Sequence, residues 1–283
     1  HCDVNEWTEK IHAVNMLPEL IRMACTAYGA WGKANNNPQI NGGLVQVRAL
    51  DFGTGPWSGN TVVNTARNEG QRAFASVSFP GFVGVITGIS DGGVGISEKV
   101  WMVSGKKKDI QGGAYDGVPD PFVLRQILEH SATRQEAEIY VNSIHRTWAM
   151  FIGVGDFTSQ QFDLIGYREQ GAQIYSDQTI TEVTSQPIMN QIAYVDKHPQ
   201  PSGDDHLPSA LSSLYGNLTA PNCRMVTQYH ETGDVHIAFY DFANKQMLLS
   251  IGRTNSKGEY RPEGSDGDSN VWKAYNRPYI QFD

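Results

Sequence analysis

The chain reads as an α+β protein built from two antiparallel sheets with helices on the outside. Three observations predict this. Short apolar runs with period-two alternation, bounded by Gly, Asn and Pro, recur over residues 25–104 and again over 147–252. Two helical stretches, PFVLRQILEH and TRQEAEIYVNSI, lie between these strand blocks. No internal repeat and no linker divides the 283 residues, so one layered core is expected.

Residues 5–24 are predicted helical because Trp7, Ile11, Val14, Leu17 and Ile21 recur every three or four positions, with Pro18 as an interruption. Residues 25–31 and 44–52 form a predicted hairpin. Its loop, 33–43, holds Asn35-Asn36-Asn37-Pro38 and Asn41-Gly42-Gly43, which are turn formers because Asn and Gly tolerate positive φ and Pro fixes its own φ. On the second strand Val45, Val47 and Ala49 alternate with Gln46, Arg48 and Leu50. Strands TVVNTA, RAFASVSF, VGVITGI and VGISEKVWMV follow, the first two joined by a turn at Asn68-Glu69-Gly70. Asp120-Pro121 reads as an N-cap with Pro at the first helical position, and Thr133 with Glu136 as a capping box.

Strands return with WAMFIGVGD, QFDLIGYR and ITEVTSQPIMNQIAYV. Residues 196–222 read as loop with a short helix at 208–215. RMVTQYHETGDVHIAFYDFANKQMLLSIG reads as the last antiparallel strands, turning at Thr232-Gly233 and Ala243-Asn244. The segment 253–270 is polar and Gly-rich, and AYNRPYIQFD is expected to add an edge strand.

Thirty acidic against 22 basic residues give a net charge of −8, which argues against nucleic acid, because phosphate binding needs clustered Lys and Arg. The run Lys106-Lys107-Lys108 sits in a Gly-rich stretch and reads as a solvated turn. No stretch approaches the ~20 apolar residues that span a bilayer. His1 begins neither a signal peptide nor an initiator Met, so a processed product is expected. Asn217-Leu218-Thr219 is an N-glycosylation sequon and fits a secreted or lysosomal route. None of the eight histidines pairs with Asp, Glu or Cys at metal-ligand spacing, so neither metal nor cofactor is expected.

A hairpin sets its outer ends side by side, which places Cys25 near Arg48 and Asp51. A thiol beside a guanidinium and a carboxylate has the means to become a nucleophile. Arg48 and Asp51 are three apart and point to opposite faces of a regular strand, so a bulge or strand end is needed for both to serve one site. Glu98 shares a strand face with Ile96 and Val100. A carboxylate there is costly to bury unless a cation partners it or that face is open.

CTAYGAWG followed by VRALDF resembles the start of the catalytic subunit in the N-terminal nucleophile (Ntn) cysteine hydrolases of the acid ceramidase, N-acylethanolamine acid amidase and penicillin V acylase group. FPGFVGVITGISDGGVGISEKVW resembles the Gly-rich strand pair of that family, and the likeness runs to about residue 252. The Cys-to-Arg spacing is longer than the family's hairpin, which implies a longer loop.

The resemblance implies a four-layer αββα sandwich. It also implies autocatalytic cleavage at Ala24–Cys25, dividing the chain into an N-terminal segment, 1–24, and a catalytic part, 25–283. Cys25 would then form a thioester with a linear, lipid-like N-acyl amide, its own α-amine acting as base so that no histidine is required. Arg48 would favour the thiolate, Asp51 would hold the amine, Glu98 would lie at the site, and Asn190 would donate to the oxyanion. The family's second arginine has no counterpart, Lys197 being the nearest cation. Phe79, Phe82 and Trp101, with Ile86 and Ile89, suit an acyl chain and suit core packing equally well.

With Cys25 as nucleophile, the odd count of three cysteines leaves Cys2 and Cys223 as the natural disulfide, which would keep the N-terminal segment attached; three unpaired core cysteines are the alternative. The other functional readings are a phospholipase B-like esterase on the same fold and a catalytically silent glycoprotein used for binding.

Overall fold

Residues 24–51 fold as the hairpin that their turn chemistry predicts. A computed structural model describes residues 4–20, 23–52, 60–103, 116–252 and 279–282. In it strand β1 (Ala24–Ala30) pairs antiparallel with β2 (Val45–Asp51), from Ala24 opposite Asp51 to Ala30 opposite Val45. The connecting loop starts with a 3-10 turn (Gly32–Asn35) and closes through Asn41 and Gly42, at φ of 51° and 78°. β10 (Ile192–Val195) flanks β1, while β11 (His236–Asp241), β12 (Gln246–Ile251) and β13 (Ile280–Phe282) continue beyond β2 in the order β10-β1-β2-β11-β12-β13.

The second sheet is an antiparallel meander in sequence order: β3 (Val62–Ala66), β4 (Phe74–Ser78), β5 (Thr87–Ser90), β6 (Val94–Val100), β7 (Met150–Asp156), β8 (Phe162–Arg168) and β9 (Gly171–Tyr175). Helices α2 (Asp120–His130) and α3 (Arg134–Ser143) are inserted between β6 and β7. They bury Val123, Leu124, Ile127, Ala137 and Val141 against Ile96, Val154 and Ile165 of this sheet. The opposite layer is α5 (His206–Ser213) with α6 (Ala220–Tyr229), whose Leu207, Leu211, Cys223 and Val226 cover Val45, Val47, Ile237 and Phe239 of the first sheet.

Between the sheets lie Ala27, Leu44, Phe151, Phe162, Leu164 and Tyr240. Phe162 sets the close approach: a Cβ on Gly29 would meet its ring at 2.1 Å, and one on Gly153 at 2.6 Å. The result is four layers, helix, sheet, sheet, helix. α1 (Val4–Leu20) packs on α2 outside this frame, and no described helix is long and apolar enough to cross a membrane.

Several local expectations are corrected. RMVTQYH is not strand but part of α6, where Pro221 in the first turn and burial of Cys223, Val226 and Thr227 reveal a helical period. Of ITEVTSQPIMNQIAYV only Ile192–Val195 is strand, and Thr181–Thr184 forms a single helical turn, α4. The short helix expected at 208–215 spans His206–Ser213. β9 lies in a stretch between QFDLIGYR and ITEVTSQPIMNQIAYV for which no element was expected. The N-cap of α2 is Pro119, with Asp120 already helical. The Thr133 side chain caps α3 as expected, accepting from Glu136 N, but Glu136 reaches back to Ala132 N.

Candidate active site

Cys25 sits on β1 with its side chain among Met23, Leu50, Phe79, Phe82, Ile86 and Val235, and has no exposed surface. β10 stops at the Val195–Ala27 pair, so Ala24, Cys25 and Thr26 outrun it and pair through β2 alone. Burial pushes the Cys25 thiol far up, against the pull of Arg48, so in the intact chain it is a neutral thiol.

Arg48 is fully buried and spends its guanidinium on three neighbours. Nη2 donates to Cys25 Sγ at 3.3 Å and to Glu98 Oε2 at 3.1 Å, Nε donates to the Glu98 carbonyl, and Nη1 lies 3.1 Å from His236 Nε2. β5 ends its pairing at Thr87 opposite Ser97, which leaves Glu98 at an unpaired edge of β6, open to the arginine from the other sheet. The cation that a buried Glu98 requires is therefore Arg48, and the carboxylate also stands 4.0 Å from the thiol. Burial raises the Glu98 pKa while Arg48 lowers it, with the upward effect prevailing.

Asp51 resolves the strand-parity problem without a bulge. The β1–β2 register is regular to its last pair, so Asp51 lies on the face of the sheet opposite Arg48, at the strand end beside Ala24. There it accepts from Thr232 Oγ1, from Gly233 N at 2.6 Å and from Asp234 N at 3.2 Å, and Thr232 Oγ1 also bonds Thr26 Oγ1. Gly233 adopts φ +92°, which lets the turn fold its amides onto the carboxylate. Burial and the nearby Asp234 push Asp51 up to about 6. Arg48 and Glu98 thus approach the thiol from one face of the sheet, while Asp51, paired in register with Ala24, lies on the other.

Two site residues escaped the sequence reading. His236, assigned no role there, is buried with Nε2 between Arg48 and Thr87 Oγ1, and burial and Arg48 hold its pKa well below the imidazole range. Lys99 is buried next to Glu98, with Nζ donating to the carbonyls of Val100 and His198, and burial lowers it to about 8. The signal for Lys99 was present in the sequence, as a Glu-Lys pair inside the apolar run VGISEKVWM.

Other expected residues fall elsewhere. Asn190 is exposed in the turn before β10, two residues beyond Ile192, which pairs Ala30. The five residues from Ala30 to Cys25 span roughly 17 Å of strand, so Asn190 is not at the thiol. At the near end of β10 stands Asp196, buried and fully engaged by Gln186, Gln200, Ser202 and the His198 amide. Trp101 is a core residue, stacked on Phe151 at 4.2 Å with Arg168 over its ring. Ile89 packs with the Trp101 group between the sheets.

Phe79, Phe82 and Ile86, by contrast, share the Cys25 cluster and line a small apolar cavity closed by Val14, Leu17 and Pro18 of α1. Cys223 is a free thiol on the buried face of α6, in the same core cluster as Tyr28. Cys2 lies outside the described residues, and Cys223, as a free thiol, does not form the expected Cys2–Cys223 bridge. Lys106-Lys107-Lys108 also lies outside the described residues. Asn217 is exposed just before α6.

No protein-family model matches the chain. It is similar to protein dcd1A of Dictyostelium discoideum, 31% identical over 285 residues covering 95% of this chain and 61% of that protein. It is also similar to protein dcd1B of the same organism, 33% identical over 284 residues and 53% of that protein. The chain thus spans roughly half to three-fifths of the curated relatives it matches. Among solved structures it resembles a Caenorhabditis elegans N-acylethanolamine-hydrolyzing acid amidase ortholog, with TM-score 0.60 and 19% identity over 77% of this chain and 93% of that one. The four layers, the two antiparallel sheets and this likeness give the chain the Ntn-hydrolase sandwich fold, with Cys25 near the start of a central strand.

Proposed function

We propose that this chain is an amide hydrolase whose nucleophile, Cys25, is released by cleavage of its own Ala24–Cys25 bond, and that its substrate is a linear, lipid-like N-acyl amide. One observation carries the reading: the buried thiol is bonded to Arg48 and within 4.0 Å of Glu98, at a point where Asp51 stands opposite Ala24. The fold shared with an N-acylethanolamine-hydrolyzing amidase supports the amide class.

In the uncut chain the thiol proton passes toward Glu98 and sulfur attacks the Ala24 carbonyl. The S–C bond forms, the C–N bond breaks, and the Cys25 nitrogen leaves carrying a proton. Water then hydrolyses the thioester, freeing the Ala24 carboxylate and regenerating the thiol. The new α-amine, adjacent to Asp51, becomes the proton acceptor for attack on substrate. Negative charge building on the acyl oxygen meets Arg48. The apolar cavity under Phe79 and Phe82 accepts the acyl chain once α1, now on a separate segment 1–24, withdraws Val14 and Leu17. Exposed Asn217 fits a glycan on a secreted or lysosomal protein.

The test uses purified full chain held at acid pH and assayed against N-acyl amides and the matching esters. A fragment beginning Cys25-Thr26-Ala27 should appear with amide turnover, and Cys25→Ala should show neither. Cleavage at 24/25 in protease-free Cys25→Ala would exclude self-processing, and ester turnover alone would exclude the amide class. Asn190→Ala should leave kcat unchanged, whereas losing a true oxyanion donor costs about 10²–10³ in rate. Parallel kinetics on processed protein make the comparison.

A further inference from the structure

We propose that His198, Asp204 and His230 form a binding site for a zinc-class divalent ion, independent of the Cys25 centre. Sequence spacing hides the set: His198 follows β10, Asp204 precedes α5, and His230 caps α6. The fold draws them together, so that one ligand atom from each lies within 4.8 Å of the others. His230 Nδ1 is 3.5 Å from Asp204 Oδ1, and His198 Nδ1 is 4.0 Å from Asp204 Oδ2. Ligand atoms on a tetrahedral zinc ion with bonds of about 2.0–2.1 Å stand about 3.3 Å apart. Small side-chain rotations therefore close the site.

The second observation is His230 itself. Its side chain is 1% exposed, and neither ring nitrogen has a hydrogen-bond partner. An imidazole carries one donor and one acceptor, and leaving both unmet in the interior is costly unless something else satisfies the ring. A metal ion does so at the nitrogen aimed toward Asp204. The surroundings are those of a supported site: His206 Nδ1 and its backbone N both hold the Asp204 carboxylate, at 3.0 Å each. His198 Nδ1 makes a long, 3.4 Å contact with the Asp196 carboxylate, which four other donors already engage, so turning that nitrogen to an ion gives up only this one contact. Two imidazoles and one carboxylate suit zinc rather than calcium or magnesium, which prefer all-oxygen shells. The ion would brace the loop after β10 against the turn that follows His230, whose Thr232 and Gly233 hold Asp51.

The experiment titrates chelator-treated full chain with Zn²⁺ by calorimetry and with Co²⁺ by absorption. Wild type should bind one ion per chain, the cobalt spectrum should lack a thiolate charge-transfer band, and zinc should raise Tm. His198→Ala and Asp204→Asn, at partly exposed positions, should each weaken binding by at least about 100-fold and lose the Tm shift. His230→Gln is the third variant, but the proposal does not depend on its folding. Cys25→Ala should bind as wild type does, whether or not the chain is an amidase. Absence of binding to wild type, equal binding by His198→Ala and Asp204→Asn, or loss of the ion in Cys25→Ala would each overturn the proposal.

Discussion

Arg48→Leu should destabilise the chain by about 3–5 kcal/mol, the usual result of removing one partner from a buried ion pair. The variant leaves Glu98 with 1% exposure and without the guanidinium that both lowers its pKa and bonds its Oε2 and backbone oxygen. It also removes the donors to Cys25 Sγ and His236 Nε2. The loss comes from the orphaned carboxylate more than from the vanished pair. Arg48→Met with Glu98→Gln should therefore recover much of the stability, because a neutral amide is far cheaper to bury. Urea titrations of the wild type, the single variant and the double variant decide the matter. A single variant within 1 kcal/mol of wild type would mean that water reaches Glu98, contrary to the burial described.

Asp120→Asn should reverse its effect on stability between pH 5 and pH 8. Asp120 is buried at the start of α2 against Glu19 of α1, which accepts from Asp120 N and Thr147 Oγ1. Burial, the Glu19 charge and the bond between the two carboxyls push Asp120 well above the carboxylate range. An acid whose folded pKa is raised contributes stability that is complete below its unfolded pKa and is lost as pH rises through the folded value. Asp51, at about 6 against an ordinary 3.8, acts the same way and removes on the order of 3 kcal/mol between pH 4 and 7.

Buried His236 opposes this at the acid end only. Its pKa is lowered from 6.5, so its contribution is complete above that pH and lost as pH falls. From pH 6.5 upward the raised acids therefore govern, and the wild type should lose stability, loosening the α1–α2 contact. The asparagine is neutral throughout. Asp120→Asn should match or fall slightly below wild type at pH 5 and exceed it at pH 8. Thermal melts at both values check this, and parallel pH profiles would show that Asp120 is not the protonated member of the pair.

The sequence determined the parts of the molecule that depend on neighbours along the chain. Asn41-Gly42, the alternation on β2, Pro121 in the first turn of α2 and the Thr133 cap of α3 placed the hairpin and the central helices to within a few residues. A thiol, a guanidinium and the Asp51 carboxylate were legible as neighbours because a hairpin with a known turn brings its outer ends together. Glu98, on the other sheet, was placed there only by the family resemblance. What failed were segments whose apolar period is ambiguous when short. RMVTQYH satisfies both two-residue and helical spacing, and only the buried face supplied by the first sheet selects the helix.

The placement of Asn190, His236 and Lys99 was decided by register between strands distant in sequence. β10 meets β1 at its far end, so Asn190 is carried away from Cys25, while β11 lies beside β2 and brings His236 opposite Leu50 and onto Arg48. The division of labour around Cys25 was likewise decided in three dimensions. Side-chain alternation sends Arg48 inward and Asp51 outward, and the early end of β5 opens the edge through which Arg48 reaches Glu98. Those contacts join residues 50 to 188 positions apart, and local propensity carries no information about them.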